Sequence, residues 1–399
     1  MELTLVDERY TCTGCGDCCH GWNVPLLPGE AARFVAQAEA LVPADRLRGA
    51  VLRARANGVG VDSLVGAGGT CVALADDARC RVHAEHGAEA KPLACRLFPF
   101  TFVTTPEDVR VSLSFACPAV VDGEGPPLGE QRAEIARTYQ AIAGSPYRLA
   151  VADSVALTES CRLPWSDAAR LLDAAVTALE RDGRLVERLC RAGAVVALTV
   201  ARIDEGAPFA EALAAARAGG DALAAEALAA PPRSDRLSRA LLRTLVQSTA
   251  PGGSATGSRL WGALASLGNG GRIRLVGGEV TQAEVERVAP GLGADGEALL
   301  LRWIGSELRG LTFFGGAAFE LSIAGGFDLL TLTCAAVAQV ARAYAARASR
   351  VAVSRDDVKA ALRQVYAGVH HRAAMPPRFE RALAATASLD LLRAQLPTI

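Results

Sequence analysis

The segment CTGCGDCCHGW, residues 12–22, sets four cysteines within eight positions, the last two adjacent. Thiols this close must pair as disulfides, hold a metal, or stay reduced as nucleophiles, and each choice demands a different fold around them. Four more follow before residue 118, at Cys71, Cys80, Cys95 and Cys117, whereas Cys161, Cys190 and Cys334 are scattered over the rest of the chain. Cysteines serving only as small core hydrophobes would spread evenly over 399 residues. Cys12, Cys15, Cys18, Cys19, Cys71, Cys80, Cys95 and Cys117 form a group. The other three read as individuals in or beside apolar helical stretches.

The opening MELTLVDERYTC lacks a basic start followed by an apolar run, so it does not read as a secretory signal. The expectation is a cytoplasmic chain, where thiols stay reduced and disulfides are uncommon. That favours metal binding for the N-terminal group. A formal charge of −1 and the lack of any basic run with interleaved aromatics argue against nucleic acid as a partner. Residues 329–341 are apolar but bounded by Asp328 and Arg342, and fall short of the ~20 residues a bilayer span needs. They read as a buried core helix, so no membrane association is expected.

The fold expected is mainly α. Residues 1–125 read as a small, irregular cysteine-rich metal-binding domain with a β-hairpin, and residues 126–399 as an α-helical domain. In the first part, residues 28–42 have helical spacing, the Gly-rich stretch 56–70 reads as loop, and two β-rich runs around TTPED predict a hairpin over 98–118. That hairpin brings Cys95 and Cys117 to one end. VDGEGPP (121–127) reads as a linker. Beyond it, Ser166 opens a helix, Gly183 ends it, and Gly219-Gly220 reads as a break in a later one. Ser234, Thr281-x-x-Glu284 and Ser354-x-x-Asp357 read as helix starts, the last two as capping boxes. RIRLV (272–276) reads as a short strand. Half the residues are hydrophobic but only 5% aromatic, which suits closely packed Ala- and Leu-rich helices.

Cys-x-x-Cys turns let a backbone wrap round an ion, and Cys12-x2-Cys15-x2-Cys18 extends that by one step. The run matches the first three cysteines of a bacterial ferredoxin motif, whose fourth ligand precedes proline, and Cys117-Pro118 supplies a remote counterpart. This favours a 4Fe-4S cluster over the alternative, zinc held by Cys12 and Cys15 with a second pair. Eight thiols suffice for two four-cysteine sites. Adjacent side chains diverge, so Cys18 and Cys19 are expected to serve different sites. His20, His83 and His86 are spare donors, the latter two read as solvated. Lys91 and Arg96 flank Cys95, either to offset thiolate charge or as simple surface charge. VGAGGTC (65–71) reads as a loop, the CxxxCxxC of radical S-adenosylmethionine enzymes is missing, and His370-His371 reads as a solvated helix end.

CTGCGDCC, then Cys71 and Cys80 round VALADDAR, then Lys91-Pro92-x2-Cys95-Arg96-x-Phe98-Pro99, then Cys117 together resemble the CxxCxxCC family of zinc- or iron-chelating cysteine domains. The resemblance covers residues ~10–120. A longer one, to the flagellin lysine-N-methylases, rests on chain size, on an approximate match to their C-x-G-x-x-D-x-C-C-x-G-W rhythm, here Cys-Gly-Asp-Cys-Cys-His-Gly-Trp over 15–22, and on a helical C-terminal part. It implies transfer of a methyl group from S-adenosylmethionine to lysines of a protein substrate such as flagellin, with the cluster required. The alternative is a non-catalytic zinc- or iron-binding protein with structural cysteine sites.

Overall fold

The computed structural model describes residues 2–20, 24–27, 29–44, 51–56, 59–64, 70–142, 144–145, 147–231, 236–249, 271–370 and 388–396. The chain divides into two compact units: Leu5–Phe102 with Val111–Arg148, and Met1–Thr4 with Val103–Arg110 and Leu149–Ile399. The first holds all eight grouped cysteines.

Within the cysteine unit, β2 (Val24–Leu26) pairs antiparallel with β4 (Val59–Leu64), which pairs antiparallel with β3 (Val51–Ala56). The loop expected over residues 56–70 is therefore partly sheet. Val59 and Val61 alternate with Gly60 and Asp62, and the glycines mask that short period of two. Helix α1 (Glu30–Ala38) forms where the 3.6-residue pattern predicts it. It buries Phe34 and Ala38 against Val24, Leu26, Val72 and Val82, with Cys71, Cys80, Cys95 and Tyr147 packed on that cluster. Three thiols thus rest on a core made mainly of Val and Ala. Two short helices follow, α2 (Arg81–His86) and α3 (Leu93–Leu97).

The hairpin is present as β5 (Phe100–Thr104) and β6 (Asp108–Leu113), in a sheet where β1 (Glu2–Leu5) borders β6 and β7 (Leu149–Ala150) runs parallel to β5. Its turn is closed by Thr105, whose hydroxyl accepts from the Asp108 backbone N–H at 3.0 Å, and its base by the Ser114 N–H on Pro99 O at 2.7 Å. The stretch read as a linker is instead tied down. It ends α4 (Pro118–Asp122), and Pro127 bridges Arg9. Tyr10 N–H donates to Pro126 O, and Gln131 Nε2 to Tyr10 O at 3.0 Å. Gly125 sits at φ +98°, where a Cβ would lie 2.6 Å from Thr11 N, so only glycine lets this turn approach the start of the cysteine run. Helix α5 (Arg132–Ala141) follows.

The other unit is helical, apart from two small antiparallel pairs. These are β8 (Ser154–Ala156) with β9 (Arg162–Pro164), and β10 (Arg272–Leu275) with β11 (Gly278–Thr281), the strand expected at RIRLV. Its helices are α6 (Trp165–Glu180), α7 (Leu185–Asp204), α8 (Phe209–Ala229), α9 (Arg236–Ser248), α10 (Gln282–Glu286), α11 (Gly293–Gly310), α12 (Ile323–Arg347), α13 (Arg355–His370) and α14 (Ser388–Gln395). Helix α8 runs unbroken through Gly219 and Gly220, against the break expected there. A Cβ at either would meet Val195 or Leu198 of α7 at 3.5–3.6 Å, ordinary contact, so both glycines face α7. Packing α8 on α7 outweighs the ~1 kcal/mol each helical glycine costs.

Both expected capping boxes are made: Thr281 N–H donates to Glu284 at 2.7 Å, and Ser354 N–H to Asp357 at 2.9 Å, each with the reciprocal bond. Ser234, the Gly-rich residues 251–270 and His371 lie outside the described residues. Helix α12 contains residues 329–341 and is long and apolar enough to cross a membrane, but most of its apolar stretch is buried within the unit. Its packing is that of a core helix.

The three scattered cysteines all fall in this unit. Cys334 is fully buried on α12 and Cys190 on α7, where its thiol faces Ala224 O at 3.7 Å. Cys161 lies in the β8–β9 turn, its backbone N–H donating to the Thr158 hydroxyl at 3.1 Å. Replacing any of the three with Ala is expected to leave metal content unchanged and cost about 1 kcal/mol of stability. Denaturant midpoints with metal analysis check this, and metal loss in Cys334→Ala would overturn it.

Candidate metal centre

The local backbone explains how thiols distant in sequence meet. Gly14 and Gly16 take positive φ (+68° and +74°) and let the run turn into the short 3₁₀ segment Asp17–Cys19. A Cβ at Gly16 would lie 2.8 Å from Ala78 O, so glycine allows the run to lie against the 71–80 loop. The two segments are then joined by backbone: His20 bridges Thr70, and Cys71 N–H donates to Cys19 O at 2.8 Å. The loop folds back on itself through the Leu74–Cys80 bridge and the Arg81 N–H to Ala73 O bond of 2.8 Å. Cys80 therefore ends beside Cys71, at the start of α2.

Cys95 is placed by a residue that sequence reasoning missed. The buried carboxylate of Glu30 accepts from Leu27 N–H at 2.7 Å and from Leu93 N–H at 2.8 Å, tying the first turn of α1 to that of α3. A Glu opening a helix is an ordinary sight in a sequence; only the contact 63 residues away gives it this role.

Five of the eight expected ligands, Cys18, Cys19, Cys71, Cys80 and Cys95, line one pocket with Lys91 and the apolar side chains of Val24, Phe34 and Phe98. Cys12, Cys15 and Cys117 lie outside that lining. Among the described residues no three or more Cys, His, Asp or Glu side chains are placed so as to hold a metal ion together. Cys18 and Cys19 both line this pocket. Sγ is attached to Cβ, so rotation about Cα–Cβ, χ1, can bring vicinal sulfurs to one pocket although their Cα–Cβ bonds diverge.

Cys19 is the centre of a three-thiol chain. It is hydrogen-bonded to both Cys18 and Cys71, which pushes its own pKa up and lowers Cys18 to about 6 and Cys71 to about 7. Burial pushes Cys95 up to about 12 and Cys117 to about 11, although backbone N–H groups of Ala119 and Val120 face the Cys117 sulfur. Soft sulfur donors fit zinc or iron in chemistry. Tyr10 is a second residue not singled out from sequence. Its phenol hydrogen-bonds Cys12 and neighbours Cys117 and Cys18, and its ring packs edge-on against Phe100 at 5.5 Å.

The flanking cations divide their roles. Lys91 lines the pocket and acts on Cys18 and Cys95, whereas Arg96 pairs with Glu89. His20 Nδ1 lies 3.1 Å from the Thr70 hydroxyl, and His83 and His86 are exposed on α2.

The helical unit holds an acid–base pair that the sequence did not reveal. Glu307 on α11 is buried, accepts from Trp303 Nε1 at 3.1 Å and Thr312 Oγ1 at 2.7 Å, and faces His370 Nε2 at 3.9 Å. His370 is stacked on Tyr366 at 4.0 Å with its side chain only 18% exposed, so it is not the solvated helix end expected. Trp303 with Glu307, and Tyr366 with His370, are i,i+4 pairs, the one signal that could have found them.

Residues 11–118 match the CxxCxxCC family model, described as a "Putative zinc- or iron-chelating domain". Flagellar biosynthetic protein FliU of Salmonella muenchen is 32% identical over 144 residues, 33% of this chain and 85% of that protein. The lysine-N-methylase of Salmonella typhimurium is 34% identical over 127 residues, 30% of this chain and 32% of that protein, and that of Salmonella choleraesuis is 33% identical over 127. The chain thus spans most of FliU but about a third of the methylases. No solved structure matches. The shared thiol-lined segment and these relatives make the chain a member of the CxxCxxCC family of metal-chelating cysteine domains, related over about a third of its length to FliU and the lysine-N-methylases.

Proposed function

We propose that the chain is a cytoplasmic, iron–sulfur-dependent protein-lysine N-methyltransferase that uses S-adenosylmethionine and acts on a flagellin-like substrate. One observation carries the reading: five thiols line a single pocket in a chain that is 34% identical over 127 residues to a lysine-N-methylase. The grouped cysteines would hold the cluster, and Cys117-Pro118 with the CxxCxxC run favours iron over zinc. Bound there, an iron–sulfur cluster would supply Lewis acidity or electron transfer. Lys91 offsets thiolate charge at the same place.

Methyl transfer to lysine forms an N–C bond from the amine lone pair. The sulfonium C–S bond breaks, its electrons stay on sulfur, and S-adenosylhomocysteine leaves while the amine proton goes to a base. An acceptor amine of pKa ~10.4 is mostly protonated at neutral pH. The apolar lining from Val24, Phe34, Pro92 and Phe98 disfavours the charged amine and promotes its neutral, nucleophilic form.

The test is anaerobic purification followed by incubation with methyl-labelled S-adenosylmethionine and flagellin. Brown protein with iron, acid-labile sulfide and label on flagellin lysines is the expected result. Colourless protein with stoichiometric zinc and no labelling would favour the non-catalytic alternative. Labelling that survives complete metal removal would refute the role given to the cluster.

A further inference from the structure

His20 and Thr70 pair as an antiparallel bridge, and the next rung is Cys19 with Cys71, whose N–H donates to Cys19 O at 2.8 Å. Side chains alternate in direction along such a ladder. His20 Nδ1 and Thr70 Oγ1 meet on one side, 3.1 Å apart. Cys19 and Cys71 therefore share the other side, and both line the pocket. Cys19 N–H turns away to Gly16 O at 2.8 Å, so a single bond holds the rung and leaves it room to adjust. Residues opposed on a hydrogen-bonded rung have Cα atoms about 5.5 Å apart. A disulfide spans roughly 4.4–6.8 Å between Cα atoms and most often a distance near that one. Neither thiol is fully buried, so a small oxidant reaches both. The competing partners fit less well. Cys18 and Cys19 have Cα atoms ~3.8 Å apart across their shared peptide, short of the disulfide range. Cys80 bridges Leu74, farther round the folded-back loop, and Cys95 stands on α3.

We propose that Cys19 and Cys71 are a redox-sensitive pair, which a small-molecule disulfide such as oxidised glutathione converts to a disulfide that stops the pocket holding metal. One protein thiolate attacks a sulfur of the small disulfide, whose S–S bond breaks as one small thiolate leaves. The other protein thiolate attacks the protein sulfur of that mixed disulfide, and the second small thiolate leaves. The chain gives up two electrons and two thiol protons, and the small disulfide takes them up as two thiols. A sulfur held in a disulfide is no longer a thiolate donor. Cys18, Cys80 and Cys95 then remain in the pocket lining, one short of a four-thiolate site. A partly exposed disulfide of this kind is open to reduction again, which returns both donors. The pairing is read from backbone register and pocket lining; only its consequence for metal rests on the chelating reading of the domain.

The experiment treats the full-length chain, purified anaerobically with its metal, with oxidised glutathione. Acid quenching, alkylation with N-ethylmaleimide, tryptic mapping by mass spectrometry and analysis of released metal follow. The expected result is two fewer alkylated thiols than the eleven of the chain, with the Cys71 peptide linked to that of Cys19. Fragmentation should place the link at Cys19, dithiothreitol should reverse it, and metal should leave in step with its formation. Cys71→Ser is expected to abolish the link, and Cys18→Ser to keep it. A Cys18–Cys19 link in the wild-type chain would overturn the pairing. So would Cys71 joined to another cysteine, glutathione adducts alone, or no loss of thiols. These wild-type outcomes do not depend on any variant folding. A Cys19–Cys71 link that forms while the metal stays bound would overturn the exclusion between oxidation and metal. A link formed in protein purified without metal would support the pair and count against the chelating reading alone.

Discussion

Chelating the metal under anaerobic, reducing conditions is expected to release amide protection throughout Leu5–Arg148 while the helical unit keeps its own. The apolar cluster of the cysteine unit is built mainly from Val and Ala around a single Phe34, with three thiols packed on it. A core that small supplies only a few kcal/mol against the entropy of ordering long irregular loops. Metal–thiolate bonding is worth on the order of 10 kcal/mol and is folding free energy where ligands come from separate segments. Here the candidate ligands come from the 12–19 run, the 71–80 loop, α3 and the start of α4. A metal held by these segments would outweigh packing in this unit. Hydrogen exchange read by mass spectrometry, before and after chelation, checks it. Unchanged protection across Leu5–Arg148 after complete metal removal would show that the unit stands on its apolar contacts.

Glu307→Gln is expected to change how stability depends on pH in the helical unit by about 3 kcal/mol across the window set by its carboxyl. Burial raises Glu307 from its ordinary 4.5 to about 7, opposed by its bonds from Thr312, Trp303 and Tyr366, and lowers His370 from 6.5 to about 4. Between pH 4.5 and about 7 the folded Glu307 holds a proton that the unfolded chain has released, so its contribution falls as pH rises. Between about 4 and 6.5 the unfolded His370 holds a proton that the folded one lacks, so its contribution rises with pH. Each slope is about 1.4 kcal/mol per pH unit, and they oppose where the windows overlap. Subtracting wild type from Glu307→Gln should leave a difference that climbs by about 3 kcal/mol from pH 4.5 to 7. The His370→Gln difference should descend by a similar amount from pH 4 to 6.5. Urea midpoints at half-unit pH steps measure both. A difference for Glu307→Gln that stays level over its window would refute the buried neutral carboxyl.

What was legible in the sequence was what depends on local pattern. The hairpin, α1, the β10 strand and the Thr281 and Ser354 caps follow from spacing over a few residues, and each forms where the pattern puts it. The crowding of eight thiols before residue 118 was equally plain, and it carried the family. Local pattern misled where a glycine had more than one use. In residues 59–64 glycine hid a strand alternation, and at Gly219-Gly220 it suggested a break where both glycines face α7 from an unbroken α8. It also made 121–127 read as a linker, although Gly125 is there because Thr11 leaves no space for a Cβ.

By itself the sequence determined the donor chemistry: soft thiols in CxxC spacing, a helical remainder, and a family. Only the tertiary structure decided which thiols are neighbours. The swing of Cys18 and Cys19 toward each other is a choice of χ1, and the approach of Cys71 to Cys19 depends on a backbone bond across 52 residues. The placing of Cys95 depends on Glu30, and that of His370 beside Glu307 on the contact of α11 with α13. Burial and through-space contact set these relations, and neither has a period along the chain. Sequence spacing therefore fixes which atoms can bind or titrate, while the fold sets their separations and the medium between them.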